Sequence, residues 1–319
     1  MQEAAFIKRN KPRWEEFEKS LKGPGPVNPD RLAELFLQVT DDLAFAQTQY
    51  PESRVTRYLN SLASNVHRAI YKNKKEERNR FINFWKKEVP EAAWQSRKEL
   101  GYALVVFLIS TAVGVLSATR DATFARLILG DDYITLTMEN IKAGNPTKIY
   151  SSGSELNMFA MIMLNNILVS FRVFACGVFL SLGAGLMLFY NGVMMGSFMA
   201  FFYRENQLTH VLPVIMLHGT IELSSIVIAG GAGFVLGNSL LFPGTYSRLD
   251  SFKTGAKRGL KLVIGLVPFF VIAAFIESFV TQYAFMHWSL KMLVIGVSAL
   301  LMVLYFVIYP NQLKRHGRI

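Results

Sequence analysis

The chain has 319 residues, is 51% apolar, and yet carries a formal net charge of +11. Its single cysteine, Cys176, excludes an intramolecular disulfide and any zinc site built on cysteines. Apolarity and charge on this scale coexist only when segregated: the first hundred residues hold more than half of both the basic and the acidic side chains, and the rest is mostly long apolar runs.

Residues 1–77 read as a small cytoplasmic helical domain. Pro26, Pro29 and Pro51 punctuate it, and Asn28 or Asp30 can cap a helix start. Leu32, Leu35, Phe36 and Val39 form one apolar face, and Val55, Tyr58, Leu59, Leu62 and Val66 another. Residues 78–100 differ in character. Arg78, Arg80, Lys86 and Lys87 alternate with Phe81, Ile82, Phe84, Trp85 and Trp94, the composition of an amphipathic elbow on the inner membrane leaflet, broken at Pro90. Trp85, Lys86, Lys87 and Trp94 are its expected interfacial anchors. A soluble amphipathic helix packed on its own domain is the competing description. Basic residues on the inner side of a membrane need no nucleic acid to account for them.

A helix needs roughly 20 apolar residues to cross a bilayer. Six segments qualify within a membrane domain at 101–309: about 101–118, 157–179, 183–203, 211–236, 260–280 and 290–309. The second and third are separated by a few uncharged residues, Ser181-Leu-Gly-Ala-Gly185, so one long broken pair is an alternative there. The expected fold class is all-α: a polytopic membrane helical bundle of about six spans, with the helical domain and the elbow before it. The basic residues Arg248, Lys253, Lys257, Arg258 and Lys261, and the basic tail 310–319, fall on the same side as the amino-terminal region. Positive-inside asymmetry then places both termini in the cytoplasm and the 119–156 loop, with Asp121, Asp131, Asp132, Glu139 and Glu155, outside.

Several polar side chains lie inside the apolar runs. His218 and Glu222 are four residues apart, hence on one helix face. With a rise of ~1.5 Å per residue, Asn165, Asn166, Asn191 and Glu277 reach overlapping depths, and Arg172 lies deeper. A polar group facing hydrocarbon has no partner, so Asn165, Asn166, Arg172, Asn191, His218, Glu222 and Glu277 are expected to converge inside the bundle, with Glu222 in reach of a polar group from the second, third or fifth span. Such a set serves either as hydrogen-bonding glue between helices or as a functional cavity for an ion, lipid headgroup or glycan. His-x-x-x-Glu has metal-ligand spacing, but neither a His-Glu-x-x-His motif nor a second nearby His accompanies it. No catalytic residue, metal or cofactor is therefore assigned. Gly177, Gly192, Gly196, Gly219 and Gly231 are the expected close-packing positions. Gly192-Val-Met-Met-Gly196 has small-xxx-small spacing, which suits a tight bundle or a homodimer seam.

The stretch from Asn165 to Gly177, then Asn191-Gly-Val-Met-Met-Gly196, His218-Gly-Thr-Ile-Glu-Leu223, Ala229 to Gly237, Pro243-Gly and Ala273 to Phe279 together resemble the stage II sporulation protein M family, DUF95, over roughly residues 80–282. The resemblance implies a multispan inner-membrane protein of bacteria or archaea. It also implies partners among envelope-remodelling proteins, since the namesake works with peptidoglycan-remodelling proteins. Members are often encoded beside a MoxR-type ATPase and an RDD-type membrane protein. His218, Glu222, Glu277, Asn165, Asn166 and Asn191 carry over as motif residues without an assigned role. The leading functional expectation is a non-enzymatic membrane scaffold of a cell-envelope machine, in contact with membrane lipids. A permease or lipid transporter using the polar set is the alternative, and an intramembrane hydrolase the third.

Overall fold

The computed structural model describes residues 3–22, 29–72, 80–144, 146, 155–281 and 286–317. Pro26, Asn28, Arg78 and Arg318, and the side chains of Asp30, Val66 and Glu155, lie outside the described residues. The described chain is all helix, without strands. It divides into two compact units, Met1–Arg80 and Phe81–Ile319.

The first unit holds three helices: α1 (Glu3–Lys22), α2 (Pro29–Gln49) and α3 (Arg54–Lys72). Their apolar faces meet in one core of Phe6, Trp14, Phe17, Leu35, Val39, Ala46, Val55, Leu59 and Leu62. Aromatic residues on α1 supply bulk that three short helices could not otherwise assemble. The Trp14 indole NH donates to Asp42 at 2.8 Å, satisfying a buried donor while tying α1 to α2. Ser53 accepts the Val55 amide at 3.0 Å and so caps α3 after the Pro51 turn. Tyr58 donates to Glu18 at 3.1 Å.

Among the described residues, the second unit has six helices long and apolar enough to cross a membrane: Arg97–Arg120, Leu156–Val178, Leu182–Arg204, Leu208–Leu241, Arg248–Val280 and Trp288–Arg315. They are called the first to sixth spans below. The fourth is central and packs against all five others. Its 34 residues measure about 50 Å at ~1.5 Å per residue, more than a hydrocarbon core of ~30 Å, so its ends project beyond the apolar layer. Thr220 and Ser224 donate to the Met216 and Thr220 carbonyls of the same helix, the economical way to satisfy a hydroxyl where water is absent.

Glycines determine how closely the spans approach. A Cβ on Gly196 would lie 2.1 Å from the Thr111 carbonyl oxygen, and one on Gly192 would lie 2.6 Å from the Ser110 Cβ. The Gly192–Gly196 seam is thus filled by the chain's own first span. Gly177 meets the Gly233 backbone and Gly231 meets Leu100 in the same manner. Gly219 differs from the close-packing role expected of it. A Cβ there meets only Ile215 and Met216 at ordinary contact distances of 3.7 and 3.9 Å, because that face of the fourth span is held off by the bulky side chains of its own previous turn.

Between the second and third spans, Leu180 and Ser181 both take left-handed backbone angles, φ 54 and φ 67. Two such residues in succession reverse the chain in the fewest possible steps. The Ser181 hydroxyl donates to the side chain of Asn238 at 3.2 Å, and Gly237 abuts the Ser181 backbone, so the reversal is anchored on the fourth span.

Pro90 does not break the elbow as expected. It occupies the first turn of helix Val89–Gln95, where a missing amide hydrogen costs no helical bond. The irregularity sits one turn earlier, in a π-helical turn at Phe84–Glu88. The carbonyls of Trp85 and Lys86 in that wide turn accept from the hydroxyls of Tyr305 (2.7 Å) and Tyr309 (3.0 Å) on the sixth span. Val89, Ala92 and Ala93 are buried against Leu262, Val263 and Leu266 of the fifth. Lys86 and Lys87 are exposed, and the Arg97 guanidinium lies over the Trp94 ring at 4.2 Å.

Two measurements test this description. Gly196→Leu forces the first and third spans apart and should lower stability in mild detergent by about 1–3 kcal/mol or prevent folding, whereas Gly219→Ala should be neutral; thermal unfolding of the purified proteins separates the two. In the first unit, burial, the hydrogen bond to Glu18 and the charges of Glu18 and Glu15 push the Tyr58 hydroxyl up to about 12 from an ordinary 10.0. The folded state favours the protonated phenol, so this contribution is complete below pH 10.0 and is lost as pH rises through about 12. Tyr58→Phe should remove a component that ionises near pH 12 from an ultraviolet absorbance titration.

Candidate functional site

Glu222 lies on the fourth span, and its carboxylate accepts a hydrogen bond of 2.5 Å from the side-chain amide of Asn166 on the second. One turn earlier is His218, buried at 4% exposure. Its Nε2 is 3.8 Å from the carboxylate of Glu277 on the fifth span, and its Nδ1 is 3.2 Å from the Thr281 hydroxyl. One ligand-capable atom from each of His218, Glu222 and Glu277 lies within 4.8 Å of the others. Three spans therefore deliver polar groups to one place.

Local structure explains the convergence. His218 and Glu222 share a face because four residues make nearly one α-helical turn. Glu277 is presented by a π-helical turn, Ile276–Val280, in which the Ile276 carbonyl accepts the Thr281 amide at 2.9 Å. The same carbonyl also accepts the Thr281 hydroxyl at 3.1 Å. A hydrogen bond that spans one residue more than in the α-helix shifts the side-chain register, which lets Glu277 and Thr281 both reach His218. Glu222 and Glu277 are partly exposed, whereas His218 and Thr281 are buried.

Of the seven polar residues singled out in the sequence, Asn166, His218, Glu222 and Glu277 come together, and Asn165, Arg172 and Asn191 do not. Asn165 is exposed, because adjacent residues on a helix point about 100° apart and cannot share the face that holds Asn166. Arg172 is six residues from Asn166, about 120° away around the second span, and is also exposed. Asn191 turns away from the cluster and donates to the Met187 carbonyl of its own helix at 2.7 Å, since the third span gives its inward face to the glycine seam with the first. Thr281 is a member that the sequence reading missed. Its spacing of four from Glu277 was the available signal, hidden at the very end of the apolar run.

Neighbouring hydroxyls extend the polarity along the same three spans. Ser170, Ser225 and Ser278 are each fully buried and have no hydrogen-bond partner among the described residues. Ser225 follows Glu222 by three positions, on the same face of the fourth span. Elsewhere in this unit, a small cavity of about 130 Å³ lies near the far ends of the first and third spans, lined by Ala118, Arg126, Phe201, Arg204 and Glu205 among others.

The Glu222–Asn166 bond predicts an asymmetric response to substitution. Glu222→Gln retains an acceptor for Asn166 and should change thermal stability little. Glu222→Ala and Asn166→Ala should each cost about 0.6–2 kcal/mol, the range for a hydrogen bond between membrane helices. Asn165→Ala should be neutral in the same unfolding assay. Equal effects at positions 165 and 166 would contradict the assignment.

Residues 4–72 match a domain of unknown function, DUF8413. No curated protein and no solved structure matches the chain. Residues 103–282 match the stage II sporulation protein M family, and this segment contains most of the first span, all of the second to fifth, and every member of the polar cluster. With six membrane-crossing helices and a family match over more than half of its length, this chain is a multi-pass membrane protein of the stage II sporulation protein M family.

Proposed function

We propose that the protein is a non-enzymatic scaffold of a cell-envelope machine in the cytoplasmic membrane of a prokaryote, with both termini in the cytoplasm. The carrying observation is that the bundle interior is tied together rather than opened. Glu222 is met by Asn166, His218 by Thr281, and the glycine seams bring backbones into direct contact. A framework of this kind holds its surfaces in fixed positions. The helices Ala122–Leu129 and Asp131–Lys142, between the first and second spans, are the surface offered outside. The helical unit Met1–Arg80 and the basic stretch from Arg248 to Lys261 are offered inside. Positive-inside asymmetry supports this orientation. Kinship with the sporulation protein supports envelope partners: peptidoglycan-remodelling proteins outside, and a MoxR-type ATPase or an RDD-type membrane protein at the inner face.

Crosslinking in native membranes, followed by gentle solubilisation and mass spectrometry, tests the proposal. Peptidoglycan-remodelling proteins or a MoxR-type ATPase should be recovered, and crosslinks should fall on residues 122–142 or 1–80. Recovery of the protein alone, with topology intact, would count against scaffolding. Cation flux in proteoliposomes that Glu222→Gln abolishes without loss of folding would move the protein to the permease class instead.

A further inference from the structure

The geometry points to a divalent transition-metal site, of the zinc or manganese class, formed by His218, Glu222 and Glu277 where the second, fourth and fifth spans meet. This goes beyond the scaffold reading and does not depend on it.

The first ground is the ligand set. One imidazole nitrogen and two carboxylates suit zinc and manganese, whereas magnesium and calcium prefer oxygen alone. Ligands bound at about 2.0–2.2 Å stand roughly 3–4 Å apart. His218 Nε2 and the Glu277 carboxylate are already 3.8 Å apart, and all three ligand atoms lie within 4.8 Å, so side-chain torsions alone can close the site.

The second ground is how the histidine is oriented. The Thr281 hydroxyl hydrogen is directed to the Ile276 carbonyl. The Thr281 oxygen is then the acceptor for Nδ1–H of His218. In that tautomer Nε2 carries the lone pair on the side of the ring facing Glu277. A metal-binding histidine is held in this manner, with its second nitrogen donating to a fixed oxygen. On the other side, the Asn166 amide donates to Glu222 and fixes its rotamer, the support that a ligating carboxylate receives.

The third ground is charge. Two carboxylates this close inside an apolar bundle repel each other and lack solvent, and one divalent cation makes the cluster neutral. Both carboxylates are only partly buried, while His218 is buried. The buried hydroxyl of Ser225, on the Glu222 face of the fourth span, adds a polar group to the surroundings. A cation here would join the fourth and fifth spans directly, and the second through Asn166.

The test uses the full-length protein in nanodiscs, stripped with a chelator and then titrated separately with zinc, manganese and magnesium. Bound metal is counted by elemental mass spectrometry, and the thermal unfolding midpoint is followed in parallel. About one zinc or manganese per chain should bind, the midpoint should rise, and magnesium should do neither. Glu222→Gln and Glu277→Gln should weaken binding at least about tenfold. Thr281→Val retains all three ligands and the side-chain shape, and should weaken binding about 10–100-fold, the usual effect of removing a ligand's hydrogen-bonding partner. Asn165→Ala should bind as the wild type does. Absence of stoichiometric zinc or manganese binding by the folded wild-type protein would overturn the proposal. Equal binding by the wild type and all the cluster variants would also overturn it, by placing the metal elsewhere.

Discussion

A polar side chain inside an apolar bundle must find its partner within the protein, and this requirement organises the membrane unit around Glu222. The carboxylate cannot be hydrated as it would be at a water-exposed surface, so the Asn166 amide reaches it from another span. His218, one turn away, engages Thr281, and its other ring nitrogen lies 3.8 Å from Glu277. Three spans are therefore held in one register by groups that have no other low-energy place to go. The apolar contacts around them supply bulk and dispersion energy, but they would tolerate sliding of one helix past another far better than this cluster does.

Close backbone approach is the second constraint, and it depends on the first being met in the right register. Gly177 facing Gly233, Gly231 facing Leu100, and Gly192 and Gly196 facing the first span allow contacts that a single methyl group would prevent. The fourth span gains its central position from this, since small residues on several of its sides admit neighbours all round. The cost falls on loops: the reversal between the second and third spans has to be tight enough to require two left-handed residues, and Ser181 bonds to Asn238 to hold it.

Wide helical turns recur where one element must present groups to another. Phe84–Glu88 offers two carbonyls to tyrosines of the sixth span, and Ile276–Val280 brings Glu277 and Thr281 to the same imidazole. In each case the local helical bond pattern is altered, and the altered groups are used by a neighbour instead of being left unpaired.

The amino-acid sequence by itself determined that the chain is helical, that it enters a membrane, and that Glu222 would need a partner. Each of these follows from local chemistry: run length, hydropathy, and the cost of an isolated charge in hydrocarbon. The family was legible for the same reason, because its motifs are contiguous stretches such as His218 to Leu223 and Asn191 to Gly196. Which polar residues meet was decided only by the tertiary structure. Asn165 and Asn166 are equivalent as letters, and only helix rotation sends one outward and the other to Glu222. Asn191 reached the correct depth on a span whose inward face was already taken by glycine packing. Thr281 and Glu277 meet His218 through a π-helical turn, and depth along an apolar run contains no information about rotation or about the register that such a turn creates.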